Sequence, residues 1–197
     1  LETVDESADE GMLVLVFTAT GLEGSIEGLS GSELTLEALS GILSTNGFPE
    51  DSPTQCGVPV VTVSAALLGL AAVLSILVET GDSNGRSGEV IDLSLFDVGV
   101  CLLGTVLPDV FLAAVPPPRI GNRHHMTAPW NTYPTLDGEV VITTMGQTLW
   151  ERLLGVMDRA DLTADPRFSD PTQRVKNVVA LDCEIAVWTA GFKSDQI

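Results

Sequence analysis

Hydrophobic and polar positions along this chain switch between two periods, and the switches predict its elements. Met12 to Thr20 (MLVLVFTAT) is apolar on both faces, which predicts a buried parallel strand. Gly21 to Gly28 reads as a glycine-bearing loop. Ser30 and Glu33 stand at capping-box spacing, and Leu34, Ala38 and Leu39 follow at helical spacing, which predicts a short helix to about Leu43. Asn46-Gly47 through Pro59 is loop, marked by Pro49, Pro53 and Gly57. A long apolar helix follows, from Thr62 or Ser64 to Glu79. Gly81 to Gly88 is a turn. Glu89 to Leu95 alternates, with Ile91, Leu93 and Leu95 inward and Asp92 and Ser94 outward, as a strand does. Phe96 to Leu112 is a second apolar helix, interrupted by Pro108. Strand, helix, strand, helix in this order predicts an α/β layer.

The pattern breaks between Ala113 and Pro129, where Pro116-Pro117-Pro118, Gly121 and Asn122 read as a linker. Beyond it, Thr132 to Thr135 and Glu139 to Met145 flank Asp137-Gly138, a hairpin signal. Gln147 to Met157 is helical, with Thr148 and Glu151 at capping-box spacing. Thr163 to Pro171 reads as irregular, and Gln173 to Ala190 as one amphipathic helix. The expected organisation is a first domain over 1–112, a linker over 113–129 and a smaller domain over 130–197.

Charge changes the picture more than length does. The 197 residues carry 27 acidic against 9 basic side chains, and the only lysines are Lys176 and Lys193. A field that negative repels nucleic acid and anionic lipid, so neither is an expected partner. It also repels phosphate esters. From Gly57 to Val78 there is no charge, and the run is long enough to span a bilayer. Its flanks are acidic on both sides, at Glu50, Asp51, Glu79 and Asp82, and no lysine or arginine anchors either end closely. Pro59, Thr62, Ser64 and Ser75 interrupt it. Together with its place between two strands, this predicts a helix buried inside the α/β layer and no membrane.

Recognisable chemistry is sparse. There is no Walker loop, no GxGxxG after a strand and no GxSxG elbow. Cys56, Cys101 and Cys183 are far apart, odd in number and without ligand spacing to a histidine, which points to a reduced, cytoplasmic setting without a disulfide framework or metal site. His124 and His125 are neighbours, so their side chains are expected to point in different directions.

Several phrases in one order nevertheless carry a resemblance. They are Glu33 to Gly47 (ELTLEALSGILSTNG), Gly57-Val58-Pro59-Val60, Gly85 to Leu95 (GRSGEVIDLSL), Arg119 to Pro129 (RIGNRHHMTAP), Asp137-Gly138 and Leu162 to Phe168 (LTADPRF). Over roughly residues 12 to 190 the chain resembles the middle portion of a family III CoA-transferase, of the CaiB/BaiF type. The resemblance implies an α/β fold: part of a Rossmann-like large domain, then the start of a small α+β domain. It also implies an interlocked dimer, homodimeric or formed with a tandem-domain partner. Coenzyme A enters as a substrate, with no permanently bound cofactor. The family's segments before Met12 and after the last helix are expected to lie outside this chain, along with most of its CoA contacts. That would account for the scarcity of basic residues.

Family enzymes, on this resemblance, move CoA between an acyl-CoA and a carboxylic acid. An Asp carboxylate attacks the thioester to form an acyl-aspartyl anhydride; CoA thiolate then forms an aspartyl-CoA thioester, which the acceptor acid opens. The matching position here is Thr62, with Ala66 beyond it where a glycine is usual. A Thr hydroxyl is about as weak an acid as water and far weaker than an Asp carboxyl, so it cannot run the same cycle. No histidine is near in sequence to act as base, and Thr62 suits a helix N-cap instead. Asp51, Asp82 and Asp97 are candidate substitutes. Ser32 stands where the racemase branch of the family has its histidine, which argues against racemisation. Two expectations remain open: a CoA-transferase, or the non-catalytic half of a tandem one, kept for its fold and interactions.

Overall fold

A computed structural model of the chain describes residues 12–23, 31–80, 89–114 and 116–197. The turn expected over Gly81 to Gly88, the cap expected at Ser30, the end of the loop to Gly28, and Asp82 lie outside the described residues. The chain divides into two compact units, Leu1–Arg119 and Ile120–Ile197.

The first unit is built on two parallel strands, β1 (Leu13–Thr18) and β2 (Glu89–Ser94), in register from Leu13 opposite Glu89 to Thr18 opposite Ser94. Between them in sequence lie α1 (Glu33–Ser40), the single turn α2 (Ile42–Thr45) and the long α3 (Val60–Thr80). The pairing needs a crossover, and the apolar segments supply it. Gly41 adopts φ 93°, which lets α1 end and α2 begin at one residue. After β2 come α4 (Leu95–Leu102) and α5 (Leu107–Ala113). The break between them falls at 103–106, and Pro108 opens α5 where its missing N–H costs nothing, so Pro108 begins a helix instead of interrupting one. Ser94 also departs from expectation. It is buried, because its hydroxyl turns inward to accept the Asp97 N–H at 3.2 Å and cap α4.

Packing of α3 corrects a further expectation. The helix forms, but 17% of the residues in its apolar window are buried. It is long and apolar enough to cross a membrane by length and composition alone. It meets its neighbours along a seam spaced by four: Val61, Ala65 and Gly69. A Cβ on Gly69 would come within 2.9 Å of Leu15 Cδ2, so the seam is small because strand β1 lies against it. Leu67, Leu70, Leu74 and Val78 stay exposed. The core of this unit is correspondingly small: Leu36, Ile42 and Val61, backed by Cys56, Val60, Leu95 and Leu103.

The second unit pairs β3 (Trp130–Pro134) with β4 (Glu139–Thr143) as an antiparallel hairpin about Asp137-Gly138. Four helices follow: α6 (Gln147–Met157), α7 (Asp161–Ala164), α8 (Pro171–Lys176) and α9 (Val178–Thr189), then a 3-10 turn over Ser194–Gln196. Gly146 caps α6 without a side-chain bond, so Thr148 lies inside the helix. The single helix expected from Gln173 is two, parted at Asn177, whose amide donates to the carbonyls of Gln173 and Arg167. Tyr133, Trp150, Leu154, Phe168, Leu181 and Ile185 form its core.

Candidate functional site

The first turn of α3 and the first turn of α1 meet at one carboxylate. Helix α3 starts at Val60, straight after Gly57-Val58-Pro59, and its first N–H groups have no intrahelical acceptor. Glu33, the first residue of α1, supplies one. Val61 N–H donates to Glu33 Oε1 at 2.7 Å and Thr62 N–H to Oε2 at 3.2 Å. The Thr62 hydroxyl donates to the same Oε2 at 2.5 Å. Thr62 is therefore the third residue of α3 and not its N-cap. Glu33 does the capping from another helix, where the dipole of α3 favours its negative charge. Thr62 is exposed and Glu33 half-buried, so the pair faces solvent from one side.

One turn on from Glu33, Glu37 shares its face of α1. Glu37 is fully buried; its Oε2 accepts the Cys56 N–H at 3.0 Å, and its Oε1 has no partner among the described residues. Burial first, and then the charges of Glu37 and Glu33, push the Cys56 thiol up from its ordinary value. Such a thiol is a poor nucleophile at neutral pH. The two glutamates thus hold the loop that enters α3, Glu37 at Cys56 and Glu33 at Val61 and Thr62.

The periodicity of α1 hid this. Leu34, Ala38 and Leu39, the apolar residues at helical spacing, are all exposed, and Leu36, Glu37 and Ser40 are buried. Ser32 is the N-cap of α1, accepting the Thr35 N–H at 3.2 Å. The signal available was Glu33 and Glu37 four residues apart, one helix before a Gly-Val-Pro helix start. Of the aspartates considered as substitutes, Asp97 lies in the first turn of α4 and Asp51 offers its carbonyl to Arg119 Nη2 at 2.8 Å. The carboxylate bonded to Thr62 is neither of these.

Basic side chains are mostly committed. Arg119 donates to the Phe48 and Asp51 carbonyls. Arg123, Arg159 and Arg167 pair with Asp182, Asp161 with Glu184, and Asp165 respectively. Arg174 is 2% exposed, lies 5.1 Å over the Trp150 ring and donates to Ala128 O, Phe168 O and Gln147 Oε1. The rings of His124 and His125 do not diverge as expected; they stack at 4.7 Å, with Trp130 at 5.0 Å from His124. Among the described residues no group of three or more His, Cys, Asp or Glu could hold a metal ion. An apolar cleft of about 190 Å³ lies among Ser40, Ser44, Leu103, Leu107 and Pro117, and neither Glu33 nor Thr62 lines it.

Known proteins supply the context for this geometry. The chain is 30% identical over 188 residues to the succinyl-CoA–D-citramalate CoA-transferase of Chloroflexus aurantiacus, covering 95% of this chain and 46% of that one. It is 30% identical over 171 residues to the succinyl-CoA:mesaconate CoA-transferase of Haloarcula hispanica, covering 87% of this chain and 42% of that one. The chain thus spans less than half the length of these relatives. A CaiB/BaiF family protein from Brucella suis superposes with a TM-score of 0.79 at 24% identity, over 100% of this chain and 51% of its own, which shows the fold. The family profile of CoA-transferase family III matches residues 11–197, and the chain belongs to that family.

Proposed function

We propose that the whole protein transfers CoA between an acyl-CoA and a carboxylic acid, with the CoA ester of a short dicarboxylic acid as donor. The observation that carries this reading is the family match over residues 11–197, joined to relatives whose names specify succinyl-CoA as a substrate. In this reading the first unit is part of a Rossmann-like large domain and the second the start of the small one. The protein works in the cytoplasm as an interlocked dimer, or with a tandem-domain partner. CoA itself is substrate, and the groups that neutralise its phosphates belong mostly to parts of the protein beyond this chain. The committed state of Arg119, Arg123, Arg159, Arg167 and Arg174 supports that division. Thr62 stands at the position of the family's nucleophilic Asp.

Exchange of label tests it. Incubating the whole protein with succinyl-CoA and isotopically labelled dicarboxylic acids should yield labelled acyl-CoA without net hydrolysis. A specific observation favours a second reading, a non-catalytic half: the aligned side chain is a hydroxyl, and an ester formed there would be a dead end for CoA exchange. Absence of exchange across a panel of short mono- and dicarboxylic acids would decide for that reading.

A further inference from the structure

We propose that Glu33, not Thr62, is the nucleophile that receives the acyl group. This rests on the CoA-transferase reading above. Three side chains at the entrance of α3 are candidates among the described residues: the carboxylate of Glu33 on Val61 and Thr62, the carboxylate of Glu37 on Cys56, and the hydroxyl of Thr62 itself. Glu37 is fully buried, which removes it from a thioester arriving through solvent. Glu33 is half-buried beside an exposed Thr62.

The short bond between Glu33 and Thr62 admits two chemistries. Glu33 could deprotonate Thr62 as a general base. A hydroxyl is a far weaker acid than a carboxylic acid, so that transfer is steeply uphill, and the ester that followed would have an alkoxide as its leaving group. Alternatively Glu33 attacks as a carboxylate, with Thr62 donating a hydrogen bond that orients it. The second needs no proton transfer and is reversible at every step. Glu33 Oε forms a bond to the acyl carbonyl carbon, the C–S bond breaks, and CoA leaves as thiolate, giving a mixed anhydride. The thiolate attacks Glu33 Cδ, the acyl group departs as its carboxylate, and a glutamyl-CoA thioester remains. The acceptor carboxylate attacks that Cδ, the thiolate leaves again and then attacks the acceptor's carbonyl carbon. Glu33 is returned as a carboxylate, and no oxidant, reductant or net proton is consumed. The N–H groups of Val61 and Thr62, on the Glu33 oxygens, are placed to hold the negative charge that develops there when Cδ is attacked. Thr62 is in this scheme a positioning residue.

The test uses the whole protein with succinyl-CoA, a labelled dicarboxylic acid and, in a parallel sample, hydroxylamine, followed by peptide mass spectrometry. The expected result is label exchange together with a hydroxamate on Glu33. Glu33→Gln should lower exchange by at least about 10³-fold, and Thr62→Ala by about tenfold with KM little changed. Thr62→Ser should restore most of that loss. An acyl ester on Thr62, a hydroxamate on another carboxylate, or exchange surviving in Glu33→Gln overturns the assignment while leaving the transferase reading standing. Absence of exchange in the unmodified protein overturns both. Mapping the adduct on the unmodified protein keeps the outcome readable if Glu33→Gln fails to fold.

Discussion

In the second unit Asp182 is buried beneath three donors: Arg123 Nε at 2.7 Å, Tyr133 Oη at 2.7 Å and Asn131 Nδ2 at 3.0 Å. In the first unit Glu37 is buried more completely, yet it receives one backbone N–H and leaves Oε1 without a partner among the described residues. Burying a carboxylate costs several kcal/mol unless hydrogen bonds replace its water. The second unit meets that condition, and its core of aromatic and aliphatic side chains closes around the network. The first unit does not, and among the described residues its core cluster is small, Leu36, Ile42 and Val61, beside a helix that is mostly exposed. A satisfied network and a closed core occur together here, as an unsatisfied carboxylate and an open apolar face do. The second unit is therefore expected to be the stiffer of the two.

The same isosteric change should have opposite signs in the two units. Asp182→Asn turns an acceptor of three bonds into a group that must present N–H to at least one donor, and should cost about 3 kcal/mol. Glu37→Gln removes a buried charge while its carbonyl can still accept the Cys56 N–H, and should be neutral or stabilising by about 1 kcal/mol. Urea unfolding followed by amide exchange in each unit checks both. Equal destabilisation by the two changes would break the comparison.

Close backbone approach gives a second, smaller contrast. A Cβ on Gly99 of α4 would meet Ser40 Cβ at 2.7 Å, whereas a Cβ on Gly155 of α6 meets nothing within 4 Å. Gly99→Ala should destabilise by about 2 kcal/mol as α1 and α4 are pushed apart. Gly155→Ala should stabilise by about 0.5–1 kcal/mol through helix propensity. Thermal melts of the two variants against the parent read out the difference.

The smallest effect is in pH. Four aspartates of the second unit are held below the ordinary carboxylate range: Asp137 by the Ser194 N–H and hydroxyl, Asp161 by Arg159, Asp165 by Arg167, and Asp170 by the Gln173 N–H. Their folded values lie below their unfolded ones. Their contribution is therefore present above about 4 and is lost as pH falls through the folded values. In the first unit Cys56 is raised, so its contribution is complete below its ordinary value of 9.0 and is lost as pH rises through the folded value. Tyr133, in the second unit, is raised by burial and by Asp182, but its loss begins only above its ordinary 10.0. Amide exchange should show the second unit loosening first in acid and the first unit in mild alkali, and Cys56→Ala should remove the alkaline limb.

Much of the architecture was legible because it follows from periodicity. The uncharged run beyond Gly57, the alternation from Glu89 and the Asp137-Gly138 turn each specify an element by local pattern, and each is present. Helix breaks were less legible. Asn177 parts α8 from α9 through side-chain bonds to distant and near carbonyls, which apolar spacing does not report. Ser94 reads as an outward strand position until its role as the cap of α4 is seen. The site was the least legible. Thr62 could be singled out by motif, but its partner lies 29 residues earlier, on a helix whose polar face turns inward. A tertiary contact between a glutamate and backbone N–H groups leaves no periodic trace.

The seam of α3 also sets a length mismatch. Twenty-one helical residues extend about 31 Å, while strands of six residues extend about 20 Å. The helix is therefore some 10 Å, about two turns, longer than either strand. The fully buried seam positions, Val61, Ala65 and Gly69, all lie in the first half, and Leu74, Leu77 and Val78 in the second are exposed. Among the described residues the buried positions of the helix are thus concentrated in its first half. Its amide protons should open in a gradient, slowest beside Glu33 and fastest towards Glu79, with the turn that carries Thr62 at the most firmly held end.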